Sequence, residues 1–181
     1  MTIPLLALTV GSAPAWAQGP WPDAELRKGT LSFDGKSTLG DFTGTTTVVR
    51  GQMRGGASLN EVRGWVEAPV STLKTANDRR DRDLVKTMEA SIYPTIRFQL
   101  EGVKAEWERG DSAGVILEGD FFIHGVQRRE HFPATVARSS EGIRVTASLP
   151  MNLHDYKVEK LTRFLVFKMR PDIVVHIDVT F

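Results

Sequence analysis

Four histidines carry most of the acid–base potential of this 181-residue sequence: His124, His131, His154 and His176. None sits in an H-x-H or H-x-x-x-H pair, the spacings that put two imidazoles on one face. His124 and His131 flank one predicted hairpin and could share a face with His176. A metal site there is one reading, and ordinary surface histidines are the other. Asp120 lies two strand steps before His124 on the same outer face, where water blunts the pKa tuning that an acid–base pair needs. No G-x-S-x-G nucleophile elbow is present. With no cysteine, thiolate nucleophiles, thiolate metal sites and disulfides are excluded. The outer-face histidines could serve a metal-dependent or hydrolase-like enzyme, but they assemble no recognisable site. No enzymatic activity, no metal ligand and no cofactor is expected.

The segments that must position such residues alternate with period two. Val62, Gly64, Val66, Ala68 and Val70 share one strand face, as do Ile96, Phe98 and Leu100. Further sets are Val115, Leu117, Gly119, Phe121 and Ile123; Phe132, Ala134 and Val136; Ile143, Val145, Ala147 and Leu149; and Ile173 to Phe181. Leu31 and Phe33 form a short piece, and residues 42 to 50 a Thr-rich one. This is the pattern of half-buried antiparallel strands. Turn signals separate them: Asp34-Gly35, Arg54-Gly55-Gly56, Arg109-Gly110-Asp111, His124-Gly125 and Glu141-Gly142. One helix is predicted over residues 77–90. Asn77 caps it, Asp78, Asp81 and Asp83 suit the positive end of its dipole, and Leu84, Val85 and Met88 give the apolar stripe. Residues 152 to 168 read as loop with a short helical turn.

Seven to nine antiparallel strands with one helix imply a sandwich or a closed barrel, and closure removes exposed edges. A barrel of about eight strands has an interior that side chains just fill, or that holds one small ligand. Gly44, Gly64, Ala68, Gly119, Ala134 and Ala147 are small residues on inward positions. Either they leave an apolar room, or large residues opposite fill the gaps.

Residues 3 to 10 form a short apolar run, followed by Ala15-Trp16-Ala17. The run is too short to span a bilayer, which takes about 20 residues. It reads as a secretory leader cleaved after Ala17, leaving residues 18–181 as one domain in the periplasm or outside the cell. A buried N-terminal strand is the other reading. The formal net charge of +1 argues against a nucleic-acid partner, which calls for a strong basic excess.

The stretch Val70-Ser71-Thr72-Leu73-Lys74-Thr75-Ala76-Asn77-Asp78-Arg79-Arg80-Asp81, followed by Tyr93-Pro94-Thr95-Ile96-Arg97-Phe98, resembles the central signature of the YceI-like family. So does Leu117-Glu118-Gly119-Asp120-Phe121-Phe122-Ile123-His124-Gly125-Val126, and Asp41-Phe42-Thr43-Gly44 is similar to an early element of the family. The resemblance covers the chain from about Thr30 onward. It implies an all-β, closed, antiparallel, lipocalin-like barrel that binds a polyisoprenoid, an isoprenoid quinone or a fatty-acid-like amphiphile, for transport, storage or stress protection.

On that basis Phe33, Phe42, Val66, Leu84, Met88, Ile96, Phe98, Phe121, Ile123, Phe132 and Val175 are the expected ligand wall. Each buried CH₂ of a ligand gains about 0.8 kcal/mol there. Arg79 or Arg80 is the expected head-group contact. The competing account of residues 77 to 83 is a solvated helix start with Asp78–Arg82 and Arg79–Asp83 pairs. Lys157, Lys160, Arg163, Lys168 and Arg170, with Tyr156, Phe164 and Phe167, could form a basic rim that touches anionic lipid transiently. The sequence sets no oligomeric state, a homodimer being one option. A packed, ligand-free stress or interaction protein is the third class of function.

Overall fold

Alternation in the sequence becomes alternation across a sheet. The computed structural model of the chain describes residues 20–38, 40–159 and 169–181. The expected leader, and Lys160, Arg163, Phe164, Phe167 and Lys168 of the basic segment, lie outside the described residues.

The strands are β1 (Ala24–Glu25), β2 (Lys28–Gly35), β3 (Phe42–Thr46), β4 (Arg50–Arg54), β5 (Arg63–Pro69), β6 (Thr95–Arg109), β7 (Ser112–Ile123), β8 (Val126–Ser139), β9 (Gly142–Asn152) and β10 (Asp172–Thr180). One helix, α1 (Asp78–Thr87), crosses between β5 and β6. Ten described strands therefore form the sheet, where about eight are expected. Their order is β1-β4-β5-β6-β7-β8-β9-β10-β2-β3, all neighbours antiparallel, in one curled sheet. The two extra strands come from short, glycine-rich or polar segments. β1 has only two residues, and the Thr-rich run divides at residues 47 to 49 into β3 and β4.

The ends of the sheet, β1 and β3, are not hydrogen-bonded neighbours. Two other connections draw them round. β1 and β2 are parts of one run of chain that changes partner at residues 26–27: Leu26 N–H donates to the Gly51 carbonyl on β4 (2.9 Å), and Arg27 N–H to the Thr180 carbonyl on β10 (2.8 Å). On the other side, Thr45 of β3 and Lys74 exchange both backbone hydrogen bonds, at 2.8 and 2.9 Å.

Most turn signals stand where expected. Gly110, and His124 with Gly125, have positive φ at the β6–β7 and β7–β8 turns, which lets each pair of long strands reverse tightly. Asp34-Gly35 is different, because β2 continues through it to Gly35. Gly35 serves packing instead: a side chain there would run into the Phe42 ring.

α1 is shorter than the predicted span. Asn77 caps it as expected, its side chain accepting the Arg80 N–H at 3.0 Å. The helix ends at Thr87, and Glu89 takes a positive φ. The expected Asp78–Arg82 and Arg79–Asp83 pairs are not among the ion pairs of the described residues. Asp81 instead turns inward and is buried. After β9 comes the expected helical turn, a 3-10 segment over Leu153–Tyr156.

Candidate functional site

The inner face of the sheet and one side of α1 enclose a cavity of about 530 Å³. Strand alternation supplies its wall: Phe33, Val66, Phe98, Phe121, Phe132 and Val175 all point into it, each from a different strand. On α1 and its C-cap, Arg80, Leu84, Thr87 and Met88 recur at spacings of three and four, so one helix side faces the sheet across the cavity. All eleven residues expected to form a ligand wall line this cavity, and so do Arg79 and Arg80.

Both accounts of the small inward residues hold, at different positions. A side chain at Gly44 would collide with the ring of Phe33, and one at Gly119 with the ring of Phe98. Those two glycines are filled from opposite by aromatic rings. Phe98 goes on to pack against Phe121 and Phe132, with ring centroids 4.7 and 5.3 Å away. These rings border the cavity and leave it open.

The lining also carries polar groups, among them the buried Thr46 and Thr87 and the two arginines of α1. Arg80 is held in place: Nε donates to the Thr75 hydroxyl and a terminal nitrogen to the Thr75 carbonyl, each at 3.0 Å. Its guanidinium also lies 4.2 Å from the centroid of the Phe42 ring. Arg79 is exposed and has no hydrogen-bond or ion-pair partner among the described residues. The two arginines are thus separated by role, one a strut and one a free cation. The strut rests on Asp81, which accepts from both the backbone N–H and the hydroxyl of Thr75 at 2.8 and 2.7 Å. Burial pushes the Asp81 carboxyl up, but the two Thr75 hydrogen bonds and the charges of Lys74 and Arg80 outweigh it, and the net shift is downward.

The wall is wider than expected. Trp21, Met53, Leu100, Val103, Leu117 and Ile177 also line it. Leu100, Leu117 and Ile177 are in phase with residues already named on their strands, so alternation alone could find them. Met53 sits in Arg50-Gly51-Gln52-Met53-Arg54, and Trp21 precedes the first strand, so neither carried a periodic signal.

The histidines scatter. His124 is not an exposed outer-face group: its side chain is 9% exposed, with Nε2 2.9 Å from Glu89 and Nδ1 3.2 Å from the Tyr156 carbonyl. Its ring packs edge-on against Tyr93, 4.7 Å between centroids. Asp120 is buried beneath Arg129, whose hydrogen bond holds its carboxyl below the usual range. His131 and His154 are exposed on separate elements, and His176 pairs with Asp34 and Ser148. Among the described residues, no group of three or more His, Asp or Glu is placed to hold a metal ion. Tyr156, expected on a basic rim, is 1% exposed and packs inside. Burial raises its hydroxyl well above the usual tyrosine range.

Known structures share this architecture. BcnA of Burkholderia cenocepacia superposes with a TM-score of 0.70 at 12% identity, over 84% of this chain and 96% of that one. A polyisoprenoid binding domain from Saccharophagus degradans, implicated in plant cell wall breakdown, gives 0.71 at 18% identity, over 86% and 95%. The YceI protein of Campylobacter jejuni gives 0.52 at 20% identity, over 66% and 71%. No curated protein sequence matches the chain. The YceI-like domain model matches residues 24–181, from β1 to the last residue of the chain, and the protein belongs to the YceI-like family.

Proposed function

We propose that this protein binds a long apolar chain inside the sheet, with the polar head of the ligand at the edge where Arg79 stands. The observation that carries this reading is the cavity itself: about 530 Å³, walled mainly by aromatic and aliphatic side chains. The volume falls in the range of small-molecule sites, roughly 300–1,000 Å³. Binding works by desolvation. At about 0.8 kcal/mol for each CH₂ removed from water, a dozen methylenes outweigh the cost of ordering a flexible chain. Met53, Met88 and Met151 on the wall can repack around chains of different branching.

The ligand class we favour is a polyisoprenoid, an isoprenoid quinone or a fatty-acid-like amphiphile. The related domain from Saccharophagus degradans, described as polyisoprenoid-binding, supports it. Continuity of β1 with β2, and the Thr45–Lys74 bridge, suit a sheet that closes into a barrel around the ligand. We place the protein in the periplasm or outside the cell after removal of residues 1–17, where it would carry, store or protect such lipids with brief contacts at a membrane surface.

Organic extraction of the purified protein followed by mass spectrometry tests this reading. One lipid per chain, with a tail of isoprene or acyl units, is the expected result. Protein that carries none, and takes up none when offered prenyl alcohols or fatty acids, would refute it.

A further inference from the structure

On the outer face of the sheet, three side chains stand in line across β2, β10 and β9. Register places Ser148 beside His176, and His176 beside Ser32, two residues before Asp34. His176 Nε2 is 2.9 Å from Asp34 Oδ2, and its Nδ1 is 2.8 Å from Ser148 Oγ. Asp34 is fixed from its other side by the Thr43 hydroxyl, which donates at 2.7 Å. That bond and the one to His176 hold the Asp34 carboxyl below its usual range, so it is ionised near neutrality and can only accept. An ionised Asp34 calls for an N–H at Nε2, and in the neutral ring Nδ1 then accepts the Ser148 hydroxyl proton. This is the polarity of a nucleophile, base and carboxylate relay, with the two ring nitrogens exchanged relative to the serine-protease order.

Ser148 and His176 also line a second cavity, open and of about 480 Å³, together with Trp107, Pro133, Thr135 and Thr146. Trp107 is 45% exposed. Its indole lies over Gly114, where any side chain would displace it. The site thus combines a hydroxyl oriented on an imidazole nitrogen and an aromatic surface on which a flat group can stack.

We propose that Ser148, His176 and Asp34 form an acyl-transfer site that hydrolyses small aryl esters seated against Trp107. Ser148 Oγ attacks the ester carbonyl carbon while its proton passes to His176 Nδ1. The adduct collapses as the bond from carbon to the leaving oxygen breaks, and that oxygen takes the proton from Nδ1. Water, deprotonated at Nδ1, then cleaves the acyl-serine, releasing the carboxylic acid and restoring the hydroxyl. The β8 ladder along β9 ends at Ala147, and from Ser148 onward β9 pairs with β10 alone. The Thr135 and Thr146 hydroxyls, which line the same cavity, are the side-chain donors for the oxyanion. The site is independent of lipid binding.

Hydrolysis of p-nitrophenyl acetate by the full chain tests it, with acetylated residues mapped by mass spectrometry. We expect acetyl on Ser148 and turnover about 100-fold above that of Ser148→Ala and His176→Gln. Both variants should keep the wild-type circular dichroism and the same uptake of a C15 prenyl alcohol. Turnover equal in wild type and Ser148→Ala, acetyl carried only elsewhere, or no turnover above buffer overturns the proposal.

Discussion

The ring of Phe33 occupies the space that a side chain at Gly44, its cross-strand partner, would need. The same ring meets Phe42 edge-on, 6.0 Å between centroids. A glycine on β3 thus decides how far two aromatic rings of the cavity wall can retreat from the room they border. Gly44→Val should push Phe33 toward the cavity. Overpacking of this kind costs about 1–3 kcal/mol. Thermal melts should show that loss, and lipid recovered per chain should fall; a variant that keeps full lipid content would show that Phe33 does not border the bound chain.

Arg79 and Arg80 are adjacent in sequence and should behave differently. Arg80→Ala removes two hydrogen bonds to Thr75 and the stack on Phe42, and should cost about 1–3 kcal/mol of stability. Arg79→Ala should stay within about 0.5 kcal/mol of wild type, as exposed substitutions do. Its effect should appear in ligand release instead. Denaturant melts and dissociation rates of a bound fatty acid separate the two, and equal effects on stability would contradict the division of roles.

Asp81 gives the start of α1 a pH dependence of definite sign. Its folded pKa is depressed, so the stabilisation is present above the unfolded value, 3.8, and is lost as pH falls below that toward the folded value. Melting temperatures measured from pH 5 to pH 2.5 should therefore drop more steeply for wild type than for Asp81→Asn. At pH 7 the variant should be less stable by about 1–3 kcal/mol.

His124 is predicted to be structural. It ties the β7–β8 turn to Glu89 beyond α1 and to the Tyr156 carbonyl. His124→Ala should lower the melting temperature and leave ester hydrolysis unchanged, whereas His176→Gln should do the reverse. A loss of turnover in His124→Ala at full stability would reinstate it as a catalytic group.

Much of this was legible in the residues. Period-two runs such as those ending at Ile123 and Phe181 place their inward side chains by geometry, because a strand offers only two faces. The strand members of the wall follow from that rule, Leu84 and Met88 from helical spacing, and the choice of the set from the family resemblance. What alternation could not show is where it breaks. β6 runs to Arg109, past irregularities after Leu100 and Ala105 that shift its phase, so its outer half reads as polar loop. Tertiary contacts were equally hidden. Nothing local says that His124 would meet Glu89, or that Asp34, far off in the chain, would join His176 and Ser148. Those contacts arise because β2 inserts beside β10, a pairing set by the whole sheet.

Photocrosslinking tests the central claim most directly. A prenyl or fatty-acyl chain carrying a diazirine near its tail, bound to the full protein and irradiated, should attach to inward residues such as Met88, Phe98 and Met151. Attachment confined to outer-face residues such as Trp107 and Phe122, with the interior untouched, would contradict the account.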